Sequence, residues 1–120
     1  MSSRFKELLS QDRTIFLDGA MGTMLQAKGM PAGVSPSLYC MQRPDVLLSI
    51  HKEYIAAGAD IILSNTFSGS PFKLDPGLEV EEFNRRMAEI AREAADAAGR
   101  PVCVAGDIGP SGHFQKPLGD

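Results

Sequence analysis

A chain of 120 residues, of which 43% are hydrophobic and 22% charged, is long enough to form one domain with a buried core. The formal net charge of −3 gives no electrostatic reason to expect a nucleic acid or a membrane surface as a partner. No apolar run approaches the roughly 20 residues of a membrane span, and the polar N-terminus is unlike a signal peptide. We therefore expect a cytoplasmic protein with reduced thiols at Cys40 and Cys103.

The N-terminal half predicts a strand that leads an acidic residue into a glycine-rich turn. The β-prone run Ile15–Leu17 ends at Asp18, and two glycines follow within four positions. This pattern is typical of a buried strand, a tight turn and a following helix. That helix is expected to be brief and to end at Gly29. The segment 30–43 shows little periodicity and several prolines and glycines, so we expect a long loop there.

The remaining chain alternates two amphipathic helices with two strands. The first helix, over residues 44–58, carries His51, which we expect to be solvated. A strand at 60–63 follows, and after a Ser/Gly/Pro-rich loop a strong helix is expected over about residues 78–98. The third strand begins at residue 102. Apolar strands separated by helices predict a parallel sheet that is buried on both faces.

Two α/β architectures fit this order of elements, an open doubly wound sheet and a (β/α)8 barrel. Long loops follow the strands at their C-terminal ends, which suits a barrel enzyme. Three strands cannot close a barrel, however, and no helix follows the third strand. The chain is therefore expected to be the first part of a larger domain, with an exposed strand edge through which it self-associates.

Three motifs at the strand ends carry a specific resemblance. They are Asp-Gly-Ala-Met-Gly-Thr-Met-Leu-Gln at 18–26, Gly-Ala-Asp-Ile-Ile at 58–62 with Asn-Thr-Phe at 65–67, and Val-Ala-Gly-Asp-Ile-Gly-Pro-Ser-Gly at 104–112. In this order the motifs resemble the homocysteine S-methyltransferase family, most closely the N-terminal homocysteine-binding module of its cobalamin-dependent members. Ser111 departs mildly from the threonine that is usual in the family.

The resemblance implies a fold and a reaction. Residues 1–120 would be the first three β/α units of a (β/α)8 TIM barrel, truncated and unable to close alone. The parent enzyme would transfer a methyl group to the thiol of homocysteine and form methionine, with cobalamin and methyltetrahydrofolate on its other modules. Zinc would be held by three cysteines that include an adjacent pair. This chain lacks such a pair, so we expect the zinc ligands beyond residue 120 and no activity from the isolated chain.

The resemblance also assigns candidate residues for binding homocysteine. Asp18 and the turn after it would hold the ammonium and carboxylate groups, since an acid suits an ammonium and backbone N–H groups suit a carboxylate. The candidates are Asp18, Gly19, Ala20, Met21, Gly22, Thr23, Asn65, Thr66 and Asp107. Simpler roles stay open, because Asp18 could cap the next helix, Asn65 and Thr66 could form a turn, and Asp107 could be structural.

Three functional alternatives stay open at this stage. The methyl donor could be S-methylmethionine or betaine rather than a corrinoid. The glycine turn at 19–22 could cradle a phosphate, although the chain lacks the Gly-x-Gly-x-x-Gly spacing of dinucleotide-binding sheets. The chain could also be a non-catalytic piece whose strand edge serves assembly.

Overall fold

The computed structural model describes residues 3–119, which form five helices and two short strands. In chain order the elements are α1 (Ser3–Leu9), α2 (Gly22–Ala27), α3 (Pro36–Gln42), α4 (Pro44–Ala56), β1 (Ile61–Leu63), α5 (Val80–Asp96) and β2 (Cys103–Ala105). Met1, Ser2 and Asp120 of the predicted 1–120 unit lie outside the described residues. Among residues 3–119, no helix is both long and apolar enough to cross a membrane.

The sheet is parallel, as predicted. β1 pairs with β2 in a register that places Ile61 opposite Cys103. The predicted first strand is present as a single parallel bridge between Leu17 and Ile61. Phe16 and Leu17 are 57% and 61% exposed, so little packing supports a longer strand at this edge. The spatial order is therefore the segment at Leu17, then β1, then β2.

Helices α4 and α5 cover one face of this sheet. Ile62 of β1 is fully buried in a cluster with Ile55 of α4 and with Ala91 and Ala94 of α5. Paired residues of neighbouring strands point to the same face, so Leu17 shares the opposite face with Ile61 and Cys103. Leu17 is mostly exposed there, and Ile61 is half-buried. Among the described residues, the sheet face under α4 and α5 is covered, whereas the opposite face is covered only in part. The prediction that both faces are buried is therefore confirmed for one face alone.

The predicted loop over residues 30–43 is wrong in its second half, where α3 forms. The Ser35 hydroxyl accepts a hydrogen bond from the Leu38 N–H at 3.4 Å, and Pro36 occupies the first turn of the helix. Both features are standard helix starts. The helix is held by burial of Cys40 in the main apolar cluster. The density of prolines and glycines just before Ser35 conceals this start.

The prediction of a solvated His51 is also wrong. Its side chain is 0% exposed, and neither ring nitrogen has a hydrogen-bond partner among the described residues. His51 lies four residues after Leu47 and four before Ile55, on the buried side of α4. Burial lowers the pKa of His51 from 6.5 to about 4, because the charged ring would lose its hydration.

Asp60 links the strands at their N-terminal ends. Its carboxylate is 2% exposed and accepts two hydrogen bonds from Arg13, at 2.9 and 2.7 Å. It also accepts one from the Phe16 N–H at 2.9 Å and one from Arg100 at 3.5 Å. The hydrogen bonds from Arg13 are the main reason that the pKa of Asp60 falls to about 2. One buried charge thus ties the segments that precede all three strands.

Replacing Asp60 with Asn should lower the free energy of unfolding by about 2 kcal/mol, because the two guanidinium groups lose their charged acceptor. Urea unfolding followed by circular dichroism measures this loss. The matched control is Asp45→Asn, since Asp45 forms an exposed ion pair with Arg43 at 3.1 Å and should matter little. Equal destabilisation by the two variants would contradict the role of Asp60.

Acid should destabilise the chain through His51. The unfolded chain binds the His51 proton below about pH 6.5, whereas the folded chain binds it only near its pKa of about 4. Stability should therefore fall as the pH drops through that window, by about 3 kcal/mol in full. His51→Leu should remove this part of the pH dependence of urea unfolding between pH 7 and 5. The control variant replaces the exposed His113 with Gln, and an equal loss of pH dependence in both variants would contradict the role of His51.

Candidate functional site

Asp18 stands where the first strand segment ends. Its Oδ2 accepts a hydrogen bond from the Leu63 N–H at 3.1 Å, and its own N–H donates to the Ile61 carbonyl at 3.0 Å. The alternative that Asp18 caps α2 is wrong, because the N-cap is Met21 and no side chain caps the helix there. Asp18 instead continues the pairing with β1 and is held at the C-terminal end of the sheet.

The charge of Asp18 is poorly compensated in this position. Burial raises the pKa of its carboxyl above the ordinary 3.8, although the hydrogen bond from Leu63 opposes that rise. The negative charge of Asp107 is a further and smaller cause of the raised pKa of Asp18. A cation bound beside Asp18 would relieve both costs. Two of the predicted site residues, from the first and third strand ends, thus interact electrostatically.

Thr66 locks the ends of β1 and β2 together. Its hydroxyl donates to the Asp107 carbonyl at 2.7 Å and accepts from the Asp107 N–H at 3.1 Å. It also lies 2.7 Å from the hydroxyl of Ser64, which in turn accepts from the Asp107 N–H at 3.3 Å. Through these hydrogen bonds, the Thr66 side chain positions the backbone of Asp107. Ser64, which the sequence analysis did not single out, belongs to the same network.

Asn65 has its side chain directed at two helices. Its backbone is left-handed, with a φ of 61°, a conformation that asparagine tolerates better than most residues. The side-chain amide donates to Cys40 Sγ at 3.4 Å and to Met87 Sδ at 3.5 Å, in α3 and α5. These contacts give Asn65 a structural role at the rim. A contact between Asn65 and a substrate stays a prediction.

The turn between Asp18 and α2 is held by a residue of α4 that lies outside the three sequence motifs. Tyr54 of α4 donates a hydrogen bond from its hydroxyl to the Ala20 carbonyl. A Cβ added to Gly19 would lie 3.2 Å from both Cε1 and Oη of Tyr54. Burial and the charge of Asp18 raise the pKa of Tyr54 above 10.0. A tyrosine on an apolar helix face is itself a signal of a polar partner at its tip.

The other predicted turn residues begin α2. Met21 is the N-cap and packs against the main apolar cluster, while Gly22 and Thr23 are the first two helical residues and are exposed. Beside Asp107, a cavity of about 330 Å³ opens between α5 and the loops that follow β1 and β2. Thr66 and Asn84 line it together with Asp107. The described site thus consists of the strand ends at Asp18, Thr66 and Asp107, with this cavity beside Asp107.

The described residues do not fit a zinc site. No three His, Cys, Asp or Glu side chains within residues 3–119 are placed to hold a metal ion. Burial raises the pKa of the Cys40 thiol to about 11, so it stays protonated at neutral pH, whereas zinc binds the thiolate. Cys103 lies inside β2, in the sheet. Neither cysteine therefore offers the site that the resemblance implies for the parent enzyme.

Comparison with known proteins identifies relatives of the sequence. Residues 15–119 match the family described as homocysteine S-methyltransferase. The chain is 37% identical over 116 residues to the methionine synthase of Mycobacterium tuberculosis (strain ATCC 25618 / H37Rv). That match covers 87% of this chain and 10% of the relative, so the chain spans about a tenth of that protein's length.

Solved structures of one enzyme, the homocysteine methyltransferase MmuM from Escherichia coli, have a similar fold. The metallated form is 27% identical, with a TM-score of 0.69 over 90% of this chain. The oxidized form is 27% identical, with a TM-score of 0.74 over 92%. The apo form is 24% identical and matches in fold, with a TM-score of 0.73 over 94%. In each case the match covers 42% of the MmuM chain.

The proximity of Tyr54 to Asp18 can be tested by titrating the phenol. The chain has two tyrosines and no tryptophan, so Tyr54 is the single tyrosine of a Tyr39→Phe variant. Its phenol should titrate in ultraviolet absorbance with a pKa above the ordinary 10.0. Adding Asp18→Asn should lower that pKa by removing the nearby negative charge. An unchanged titration would show that the two side chains do not interact.

Proposed function

The chain belongs to the homocysteine S-methyltransferase family, and on that premise we propose that it is part of an enzyme that methylates the thiol of homocysteine to form methionine. The family match over residues 15–119 carries the proposal. The two relatives described above support it, since one is named a methionine synthase and the other a homocysteine methyltransferase. Homocysteine is accordingly the proposed substrate.

The proposed fold of the whole domain is a (β/α)8 barrel, with residues 1–120 as its first three β/α units. Three observations on the described residues support this proposal. The strand segments are parallel and adjacent in chain order. Helices α4 and α5 cover one face, and the opposite face is apolar and open, as the interior wall of a barrel would be before closure. Three strands cannot enclose such an interior, so the unit is incomplete alone.

The role proposed for this chain is to bind the ammonium and carboxylate groups of homocysteine. The negative charges of Asp18 and Asp107 repel each other, so a cation bound beside them is favoured. The ammonium group of the substrate supplies such a cation. The backbone N–H groups of the turn at residues 19–23 are the proposed partners of the substrate carboxylate. Because ammonium binding favours ionised Asp18, affinity should weaken as the pH falls through the raised pKa of that carboxyl.

The proposed type is that of methionine synthase, which the 37% identity supports. Cobalamin and methyltetrahydrofolate would then bind to other modules of the protein, and the cobalamin-binding module would be the partner of this domain. No step proposed for this chain involves zinc, because residues 3–119 do not fit it. S-methylmethionine and betaine are the alternative donors. A cytoplasmic location and self-association through an exposed strand edge stay predictions.

Titration of the isotope-labelled chain with homocysteine, followed by amide NMR, tests the proposal. Resonances of the turn at 19–23 and of Asp107 should shift, with a dissociation constant in the millimolar range, since the chain carries part of a pocket. Asp18→Asn should weaken binding at least about tenfold, because a charged hydrogen bond is lost. Homoserine, which lacks the thiol, should bind comparably if the chain contacts the amino-acid end.

The matched control for this titration is Asp12→Asn, since Asp12 is exposed and lies outside the site. This variant should bind homocysteine as the wild-type chain does. A folded wild-type chain whose turn resonances do not move at homocysteine concentrations far above the millimolar range would refute the proposed function.

A further inference from the structure

Tyr54 of helix α4 reaches the middle of the proposed substrate-binding turn. The tyrosine hydroxyl donates its hydrogen bond to the Ala20 carbonyl, in the middle of the turn. The ring lies against Gly19, where an added Cβ would come within 3.2 Å of Cε1 and Oη. Tyr54 is half-buried, because its ring packs against the apolar clusters while its tip reaches the turn. The contact combines a directed hydrogen bond with close packing.

The turn has firm anchors at its two ends. Asp18 is bound to β1 through the Leu63 N–H, and Leu25 of α2 is 0% exposed in the main cluster. Between them, Gly19 and Ala20 are exposed, and the N-cap residue Met21 makes no side-chain cap. Among the described residues, Tyr54 is therefore the side chain that fixes the middle of the turn. Without its hydroxyl, the exposed peptide groups at Gly19 and Ala20 would be held only from the ends.

We infer that Tyr54 is a positioning residue for homocysteine, which acts by holding the turn at residues 19–23 in its binding conformation. This inference rests on the proposed function, since the turn is the proposed partner of the substrate carboxylate. A binding group must stand within a fraction of an ångström of its productive place, and each ordered group that has to be fixed on binding costs affinity. Tyr54 reduces this loss of affinity, because it already holds the turn in place before homocysteine binds.

Gly19 and Tyr54 form a matched pair in this arrangement. A methyl group at position 19 would stand 3.2 Å from two atoms of the tyrosine, so the ring or the turn would have to move by a few tenths of an ångström. By contrast, a Cβ added to Gly77 would meet nothing within 4 Å. The glycine at position 19 thus serves the approach of the tyrosine as well as the exposure of its own N–H group.

The test compares two variants that each delete one phenolic hydroxyl, Tyr54→Phe and Tyr39→Phe. Tyr39 is buried in the main apolar cluster and Tyr54 packs against it, but Tyr39 belongs to α3 rather than to α4. Homocysteine is titrated into each full chain with amide NMR detection, and stability is measured by urea unfolding. Tyr54→Phe should raise the dissociation constant about fivefold, the equivalent of one hydrogen bond, and Tyr39→Phe should leave it unchanged.

A second pair of variants approaches the same contact from the turn. Gly19→Ala should also weaken homocysteine binding, whereas Gly77→Ala should not. Because Gly19→Ala crowds the hydroxyl that Tyr54→Phe removes, the double variant should lose less affinity than the two single losses combined. Additive losses would show that the two residues act independently and would contradict the matched pair.

The outcomes separate this inference from the proposed function. If the wild-type chain and Tyr54→Phe bind homocysteine with the same affinity, the inference is wrong and the proposed function still stands. A wild-type chain that does not bind homocysteine overturns both. If Tyr54→Phe lowers unfolding stability but leaves the dissociation constant unchanged, the residue is structural only, and the inference is again wrong.

Discussion

The buried carboxylate of Asp60 is the interaction on which the arrangement of the sheet depends. Its partners are Arg13 before the first strand segment, the Phe16 N–H within it, and Arg100 before β2. The partners lie on different segments of the chain. One charge therefore fixes how the three short strand segments are aligned along the strand direction. In a parallel sheet, a slip of one residue would move a strand by about 3.3 Å and reverse its faces. With strands only three residues long, this anchoring decides where the opposite ends emerge.

At those opposite ends, much of the polar chemistry serves to hold the rim in shape. The hydroxyls of Ser64 and Thr66 are engaged with Asp107, and the amide of Asn65 contacts sulfur atoms of two helices. Asn65, Thr66 and Asp107 were predicted to bind the substrate, and Ser64 lies next to Asn65. Their bonds within the protein make the rim rigid before any ligand arrives, which is the condition for a site to bind without reorganisation. The carboxylates of Asp18 and Asp107 carry the charge that remains to attract a ligand.

The long helices and the parallel order of the strands follow directly from the sequence, because apolar periodicity over more than ten residues leaves few alternatives. Helices α4 and α5 lie within a few residues of their predicted bounds. The errors fall where local and tertiary signals disagree. Helix α3 begins within a segment whose prolines suggest a loop, although Ser35 and Pro36 are helix-start residues. His51 sits on the buried face of α4, yet its residue type suggested solvent.

The links of Asp60 and Tyr54 could not be predicted, because they depend on which residues meet across the fold. A sequence pattern places Asp60 at the start of a strand and Tyr54 on an apolar helix face, and gives no partner for either. Arg13 is 47 residues from Asp60 and the Ala20 carbonyl is 34 residues from Tyr54. Such contacts appear only once the parallel pairing has brought the strand ends together. By contrast, the motif at Asp18 could be found from local residue order alone.

Two aspartates show how the two ends of the sheet differ in physical terms. Arg13 and Arg100 hold the pKa of Asp60 down to about 2, so its ionised form is stabilised by the fold. Burial and Asp107 raise the pKa of Asp18, so its ionised form is destabilised by the fold. A satisfied charge strengthens the folded state, whereas an unsatisfied one is retained at the expense of stability and is a mark of a binding site. The N-terminal ends of the strands therefore hold the structure together, and the C-terminal ends offer the charge that a substrate ammonium would neutralise.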